Sequence, residues 1–344
     1  MQETTEILVI GGGPGGIACA TLLAQNGLKV VLVDRKATLG PKVCAGGITW
    51  GGLLKHVPST LVERGFPEQH IITPRQQVVV SEKNPIIATV NRERLGQWMA
   101  EQASEAGVTI LPQTRALSFE KNKATLEDKD RRRITVRFDH LVGADGSNSL
   151  VRRFLGLPAS AMGIGLNCML PGRHPRMEWH LHSGRFGSGY GWVFPHAEVV
   201  SVGAYSDISN LPASILKQRL LHWASFQGFK IDPATIRAGL VNFDYRGVRF
   251  DRTWLVGDAA GLASGLTGEG IYPALVSGQA VAYMILDPTY PAAELARLAK
   301  KQRQHRRLVT LVGRHHHLCG LLMEALAGLL RLKILDFHAL EMAE

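Results

Sequence analysis

The residues best placed to do chemistry sit in three short glycine-bearing stretches far apart in the chain. They are Gly11-Gly12-Gly13-Pro14-Gly15-Gly16, Gly143-Ala144-Asp145-Gly146 and Gly257-Asp258-Ala259-Ala260-Gly261. Gly11, Gly13 and Gly16 give G-x-G-x-x-G. The first glycine permits a tight turn, the second lets backbone approach a pyrophosphate, and the third lets helix and strand pack closely. A helix starting at Pro14 and Gly15 presents unpaired N–H groups and the positive end of its dipole to phosphate. Asp34, at the end of the next apolar run and followed by Arg35, can accept hydrogen bonds from ribose hydroxyls. One such turn points to a dinucleotide. Three in this order point to one extended nucleotide held at several places, and FAD meets that description best.

These stretches need strands before them and helices after them, and the sequence supplies both. Residues 6–10 read as a buried parallel strand, 14–26 as a helix and 28–33 as a second central strand, a βαβ unit. Residues 40–52 are glycine-rich and read as irregular. Residues 71–90 alternate as strands do and break at Asn84-Pro85. Leu95, Trp98, Met99 and Ala103 mark one face of a helix over 92–106. Short strands fill 109–142, with a charged turn at Glu127 to Arg133, and the last enters Gly143. Strand character returns over 160–207, a helix over 213–227, a buried strand at Trp254-Leu255-Val256 and a helix over 270–286.

The chain has 344 residues, 45% hydrophobic and 20% charged, which suits two interleaved globular domains. Its net charge of +10 favours an anionic partner without choosing one. With no helix-turn-helix, zinc-finger or RNP pattern, nucleic acid is not expected. Cys19, Cys44, Cys168 and Cys319 are scattered with no C-x-x-C, so neither a zinc site nor a disulfide framework is expected, and a reducing cytoplasm fits. The polar, acidic first residues are no signal peptide, and no apolar run is long enough to span a membrane.

Together the three glycine stretches resemble the FAD-dependent oxidoreductases of the hydroxybenzoate-hydroxylase fold over about residues 5–285. The resemblance implies an α/β fold in which a Rossmann-type FAD-binding domain (1–75, 92–160 and 246–290) is interleaved with an antiparallel β-sheet substrate domain (76–91 and 161–245), plus C-terminal amphipathic helices (291–344). It implies that Asp258, beside Gly257, meets ribityl or ribose hydroxyls, that Asp145 supports the pyrophosphate region, and that Arg92 approaches the FAD. The turn Leu266-Thr267-Gly268-Glu269-Gly270-Ile271 opens a helix whose amides could stabilise negative charge on a reduced flavin. The family usually has Glu where Asp34 stands.

Three further stretches are similar to the geranylgeranyl reductase family, which uses reduced FAD to saturate isoprenoid double bonds. They are Lys42-Val43-Cys44-Ala45-Gly46-Gly47, Tyr190-Gly191-Trp192-Val193-Phe194-Pro195, and Gly257 through Ile271 followed by Ser277-Gly278. Ala45 interrupts the family's Cys-Gly-Gly, Tyr205 stands where a second glycine follows the aromatic motif, and Gly265 replaces a proline. The resemblance implies that Cys44 and Ala45 lie against the flavin. Tyr190, Trp192 and Phe194 recur at period two and would share one strand face, lining an apolar substrate site or serving as core. Cys44 is a candidate catalytic acid, since hydride delivery to one alkene carbon leaves the other needing a proton, and Lys42 could tune the thiol. The alternative for Cys44 is a small buried hydrophobe. NAD(P)H or a ferredoxin would supply electrons. The competing functions are a flavin monooxygenase of an aromatic or quinone substrate and a non-catalytic electron carrier.

The tail is basic, then amphipathic. Lys300, Lys301, Arg303, Arg306, Arg307 and Arg314 precede His315-His316-His317, which cannot all face one metal from a helix. Leu318, Leu321, Leu322, Ala325, Leu326, Leu329 and Leu330 follow the i, i+3, i+4, i+7 rule. The stripe either docks on the protein or lies in the inner face of a membrane, with the cations at anionic headgroups.

Overall fold

The computed structural model describes residues 2–313 and 315–343. Its first sheet runs Thr109–Leu111, Val30–Val33, Gln2–Ile10, Arg133–Gly143, Thr253–Leu255, all parallel, with Arg249–Phe250 antiparallel at the edge. The central strands are uncharged and β-branched where they cross the core, and Val30–Val33 is buried along its whole length, as a strand covered on both faces requires. All three glycine stretches leave the C-terminal ends of adjacent strands of this sheet, Gln2–Ile10, Arg133–Gly143 and Thr253–Leu255. That is where ligands bind in open α/β sheets. Helix Pro14–Gln25 packs on helix Ile271–Leu286 so closely that a Cβ on Gly278 would stand 2.2 Å from the Gly15 carbonyl oxygen. The Ser277-Gly278 pair is therefore a packing requirement.

The second sheet has seven strands in the order Arg237–Asn242, Met162–Pro171, Val199–Asp207, Tyr190–Pro195, Glu178–His180, Glu68–Ile72, Gln77–Ser81. Its pairings are antiparallel except that between Glu178–His180 and Glu68–Ile72. A third, small sheet joins Gly47–Thr49, Ile87–Val90 and Val62–Phe66. Two domain boundaries read from sequence shift accordingly. Strand Glu68–Ile72, assigned to the nucleotide domain, pairs in the second sheet. Strand Ile87–Val90, assigned to the substrate domain, pairs with Gly47–Thr49 and Val62–Phe66 in the third sheet. Alternation reveals a strand but not its partner, and His70 finds Glu178 more than a hundred residues away. Residues 40–52, read as irregular, hold strand Gly47–Thr49 and the start of helix Trp50–Leu54.

Helix Ala293–Gly313 buries Leu295, Leu298, Ala299, Val309 and Val312. Gln302 Nε2 donates to the Phe243 carbonyl at 2.5 Å, and His305 Nδ1 meets Ser264 Oγ at 2.8 Å. Arg306 is not part of a solvated basic face: its guanidinium is 2.6 Å from the fully buried Asp244 carboxylate, which also accepts from buried Arg152. Arg314 lies outside the described residues. Helix His316–Arg331 docks on the second sheet through Ala327 and Leu330, while Cys319 Sγ meets the Gly187 carbonyl at 3.6 Å. The leucine stripe splits in two. Leu326 and Leu330 face the body, whereas Leu321 (62% exposed), Leu322 and Leu329 face out, so the helix is apolar on opposite sides. Among the described residues no helix is long and apolar enough to cross a membrane.

Candidate functional site

The site is built around the glycine turn. Gly11 has φ of +110°, and a Cβ there would stand 2.3 Å from the Ala144 carbonyl oxygen. A Cβ on Gly16 would stand 2.1 Å from the Gly11 carbonyl oxygen. Both are approaches of backbone to backbone, which no rotamer change relieves. Gly13 caps helix Pro14–Gln25 without a side chain, so no protein group covers the first-turn amides. Asp34 accepts from the Gly12 amide at 2.7 Å and from the Lys36 amide at 2.8 Å, tying the end of the second strand to the turn.

The other two turns converge on the same space. The Asp145 carboxylate accepts from Ser149 Oγ at 2.5 Å and the Leu150 amide at 2.6 Å. Burial raises its pKa against the pull of those donors. Its side chain thus shapes the turn and caps the start of helix Leu150–Phe154. Asp258 Oδ2 accepts from Ser147 Oγ and from Lys42 Nζ, each at 2.9 Å, and its carbonyl accepts from Asn242 Nδ2. Lys42 therefore spends its charge on Asp258, not on the Cys44 thiol.

Cys44 is half-buried in a loop held from the second sheet. Its carbonyl accepts from Asn167 Nδ2 at 3.0 Å, and its Sγ accepts from the Gly46 amide at 3.3 Å. Asn167 Oδ1 accepts from Ser201 Oγ, which accepts from Trp192 Nε1. The next carbonyl, Ala45, is 2.9 Å from His196 Nε2, and His196 Nδ1 is 2.6 Å from Glu63 Oε2.

Tyr190, Trp192 and Phe194 do share a face, with neighbouring rings 6.1 and 6.2 Å apart. Trp179 packs across Phe194 at 4.7 Å and Tyr190 at 5.2 Å. Tyr190 also donates to the Thr267 carbonyl, and Tyr205 donates to the Gly265 carbonyl at 3.0 Å, so two phenols pin the 265–268 turn to the aromatic strand. Burial pushes both phenols upward. The tyrosine at position 205 thus has a task that a glycine there could not perform.

Every residue singled out above as a cofactor, substrate or catalytic candidate lies on the wall of one cavity of about 1580 Å³. A drug-sized ligand needs only about 300–1000 Å³. Space remains for a second ligand beside a dinucleotide. The residues present fit FAD: the glycine cradle is shut to side chains, and Arg92 points two buried nitrogens, Nε and an Nη, at no protein acceptor. Desolvation weakens that guanidinium's hold on its proton. Sequence reasoning missed Asn167, Asn242, His196 and Glu63, all lone polar residues outside any motif. It passed over Glu269 inside one.

Residues 4–169 match the FAD binding domain family. The chain is 27% identical over 309 residues to the chloroplastic geranylgeranyl diphosphate reductase of Nicotiana tabacum, covering 82% of this chain and 66% of that one. It is 28% identical over 308 residues to digeranylgeranylglycerophospholipid reductase 2 of Methanosphaera stadtmanae, covering 80% and 76%. A crystal structure of a geranylgeranyl bacteriochlorophyll reductase-like protein from Thermoplasma acidophilum superposes with a TM-score of 0.75 at 24% identity, over 99% of this chain and 92% of that one.

Proposed function

We propose that this chain, an FAD-dependent oxidoreductase, saturates carbon–carbon double bonds of a prenyl chain borne by a lipid or quinone. The observation that carries the reading is the continuity of the cavity. The wall that begins at the glycine turns runs without a break into Trp179, Leu181, Tyr190, Trp192, Phe194 and Leu326. An aromatic and aliphatic chamber suits a long hydrocarbon and offers little to a small polar substrate. The names of the tobacco and Methanosphaera relatives support the same substrate class.

In this reading Gly11, Gly13, Pro14, Gly15 and Gly16 would hold the pyrophosphate, and Asp34 and Arg35 the adenosine. Asp145, Gly257 and Asp258 would hold the part between, and Arg92, Cys44, Ala45, Gly268, Gly270 and Ile271 the ring. When bound, FAD supplies hydride chemistry. The protein orients the chain on Tyr190, Trp192 and Phe194 and keeps water out. Cys44, on the cavity wall, contacts the substrate.

The outer face of the C-terminal helices serves a lipid surface in the same reading. Leu311, Leu321, Leu329, Leu332 and Ile334 are each at least 40% exposed, beside exposed Lys300, Arg303 and Arg307. Apolar area flanked by cations suits an anionic membrane interface. Anionic liposomes should float the full chain and lose the variant L321S/L329S/L332S.

The deciding experiment is anaerobic. Dithionite-reduced protein is incubated with a panel of prenyl lipids, and each reduced double bond adds one H₂ to the product mass. Turnover that requires oxygen and adds oxygen to the product would replace this reading with a monooxygenase. Cys44→Ser with FAD still bound tests the thiol, and unchanged turnover removes it from the mechanism.

A further inference from the structure

Reduction of an isolated double bond consumes a proton, so a proton donor must stand on the wall of the chamber that holds the alkene. Glu269 lies on the cavity wall in the turn pinned by Tyr190 and Tyr205. Its Oε2 accepts from the Met342 amide at 2.8 Å, and Thr49 Oγ1 is 3.5 Å from Oε1. Beside Met342, Glu341 is 4% exposed and also lines the cavity, and its Oε1 has no hydrogen-bond partner. Its Oε2 is 3.1 Å from His338 Nδ1. The His338 side chain is 44% exposed, and its Nε2 is 3.0 Å from Glu82. His338 meets solvent, and Glu341 and Glu269 both line the chamber.

We propose that Glu269 delivers the proton that completes double-bond reduction, and that Glu341 and His338 replenish it from solvent. This rests on the prenyl-reductase reading. The π bond breaks and two C–H bonds form: hydride from reduced flavin, regenerated by an external electron donor, joins one carbon, and the Glu269 proton joins the other. Glu269 is left as carboxylate and recovers its proton through the C-terminal segment. Glu269 would be the catalytic residue, with Glu341 and His338 acting through it.

The electrostatics agree. Burial pushes Glu269 up to about 7, with Glu341 adding to the rise and the Met342 amide, Lys301 and Thr49 opposing it. Glu269 in turn adds to the upward push on the Tyr190 and Tyr272 phenols. Partial burial opposes protonation of His338, but Glu341 and Glu82 carry it to about 8, so it is charged at neutral pH. An acid poised near the working pH is the efficient kind.

The test uses the full-length holoenzyme with dithionite as donor. E269Q should keep its FAD spectrum and reduction by dithionite, yet saturate a prenyl lipid at least about 100-fold more slowly. The wild-type rate should fall as pH rises through 7, and that limb should vanish in E269Q. H338Q should leave the first turnover nearly unchanged and slow the later ones. A carboxylic-acid infrared band titrating near pH 7 should be present in the wild type, with or without FAD, and absent from E269Q. Equal rates and pH profiles for wild type and a folded E269Q would overturn the proposal alone. A wild type that saturates no prenyl lipid would overturn it together with the reading beneath it.

Discussion

Arg92 should cost the protein stability without FAD and return affinity with it. The residue opens helix Arg92–Glu105, and its side chain lies on the cavity wall. Nε carries one N–H and an Nη carries two, so three of the five guanidinium donors are buried without a partner. Leaving a buried donor unpaired costs about 1–3 kcal/mol. A cation at a helix N-terminus opposes the dipole by a further ~0.3–1 kcal/mol. Arg92→Met keeps the aliphatic length and removes both penalties, so, counting only one of the three donors, the FAD-free variant should be about 1.3–4 kcal/mol more stable than wild type. A hydrogen bond from a charged donor is worth about 1.5–3 kcal/mol, which converts to a loss in FAD affinity of about 10- to 150-fold. The assays are urea unfolding of FAD-free protein and titration of flavin fluorescence. The two shifts have opposite signs, which a merely destabilising substitution does not produce. An Arg92→Met protein that is less stable without FAD and binds it as tightly as wild type would refute the reasoning.

Gly16→Ala drives a Cβ to 2.1 Å from the Gly11 carbonyl and 2.8 Å from the Ala144 side chain, so about 1–3 kcal/mol of overpacking and a purified protein with much less bound flavin are expected. His338 holds its proton to about 8, above its usual 6.5, so the docking it gives the tail is complete below pH 6.5 and fades as pH rises through 8. Amide exchange over Phe337–Met342 should accelerate across that window in wild type and show little pH dependence beyond the intrinsic rate in H338Q. Glu269 binds its proton more tightly folded than unfolded, so between pH 4.5 and 7 the native state carries the extra proton and stability falls as pH rises. Urea midpoints of FAD-free E269Q should fall less steeply over the same range.

The nucleotide half was legible because its signals are local. The G-x-G-x-x-G turn, the strand before it and Asp34 after the next strand are defined by neighbours in sequence, and helix Arg92–Glu105 announced itself by one apolar face. Even so, Asp34 spends its carboxylate on the Gly12 and Lys36 amides, and Asp145 accepts from amides of its own turn, details no spacing contains. The second sheet was harder. Its strands were visible as alternation, but their order depends on pairings such as Gly163 with Asp207 and Glu178 with His70. The tail misled for a physical reason. A stripe of leucines is expected to have one partner, whereas this helix follows the apolar rule on two sides. Arg306, read as one of a row of surface cations, is the counter-ion of a buried carboxylate.

The second sheet does more than line a substrate chamber, because it sets where the Cys44 loop stands. The Cys44 and Ala45 carbonyls can only accept hydrogen bonds, and both accept from second-sheet residues, Asn167 and His196. The bond to Ala45 requires a hydrogen on His196 Nε2. The 2.6 Å contact between Nδ1 and Glu63 then requires one more proton on one of the two partners. On the other side, Asn167 is oriented by Ser201, and Ser201 by the indole of Trp192. The aromatic residue on the cavity wall therefore also fixes, through two buried polar side chains, the loop that carries Cys44. Aromatic wall and Cys44 loop share one hydrogen-bonded frame. A change at Trp192 that alters the fit of the chain will alter the position of Cys44 as well, so the two effects must be separated by substituting Ser201 or Asn167, neither of which supplies part of the aromatic surface.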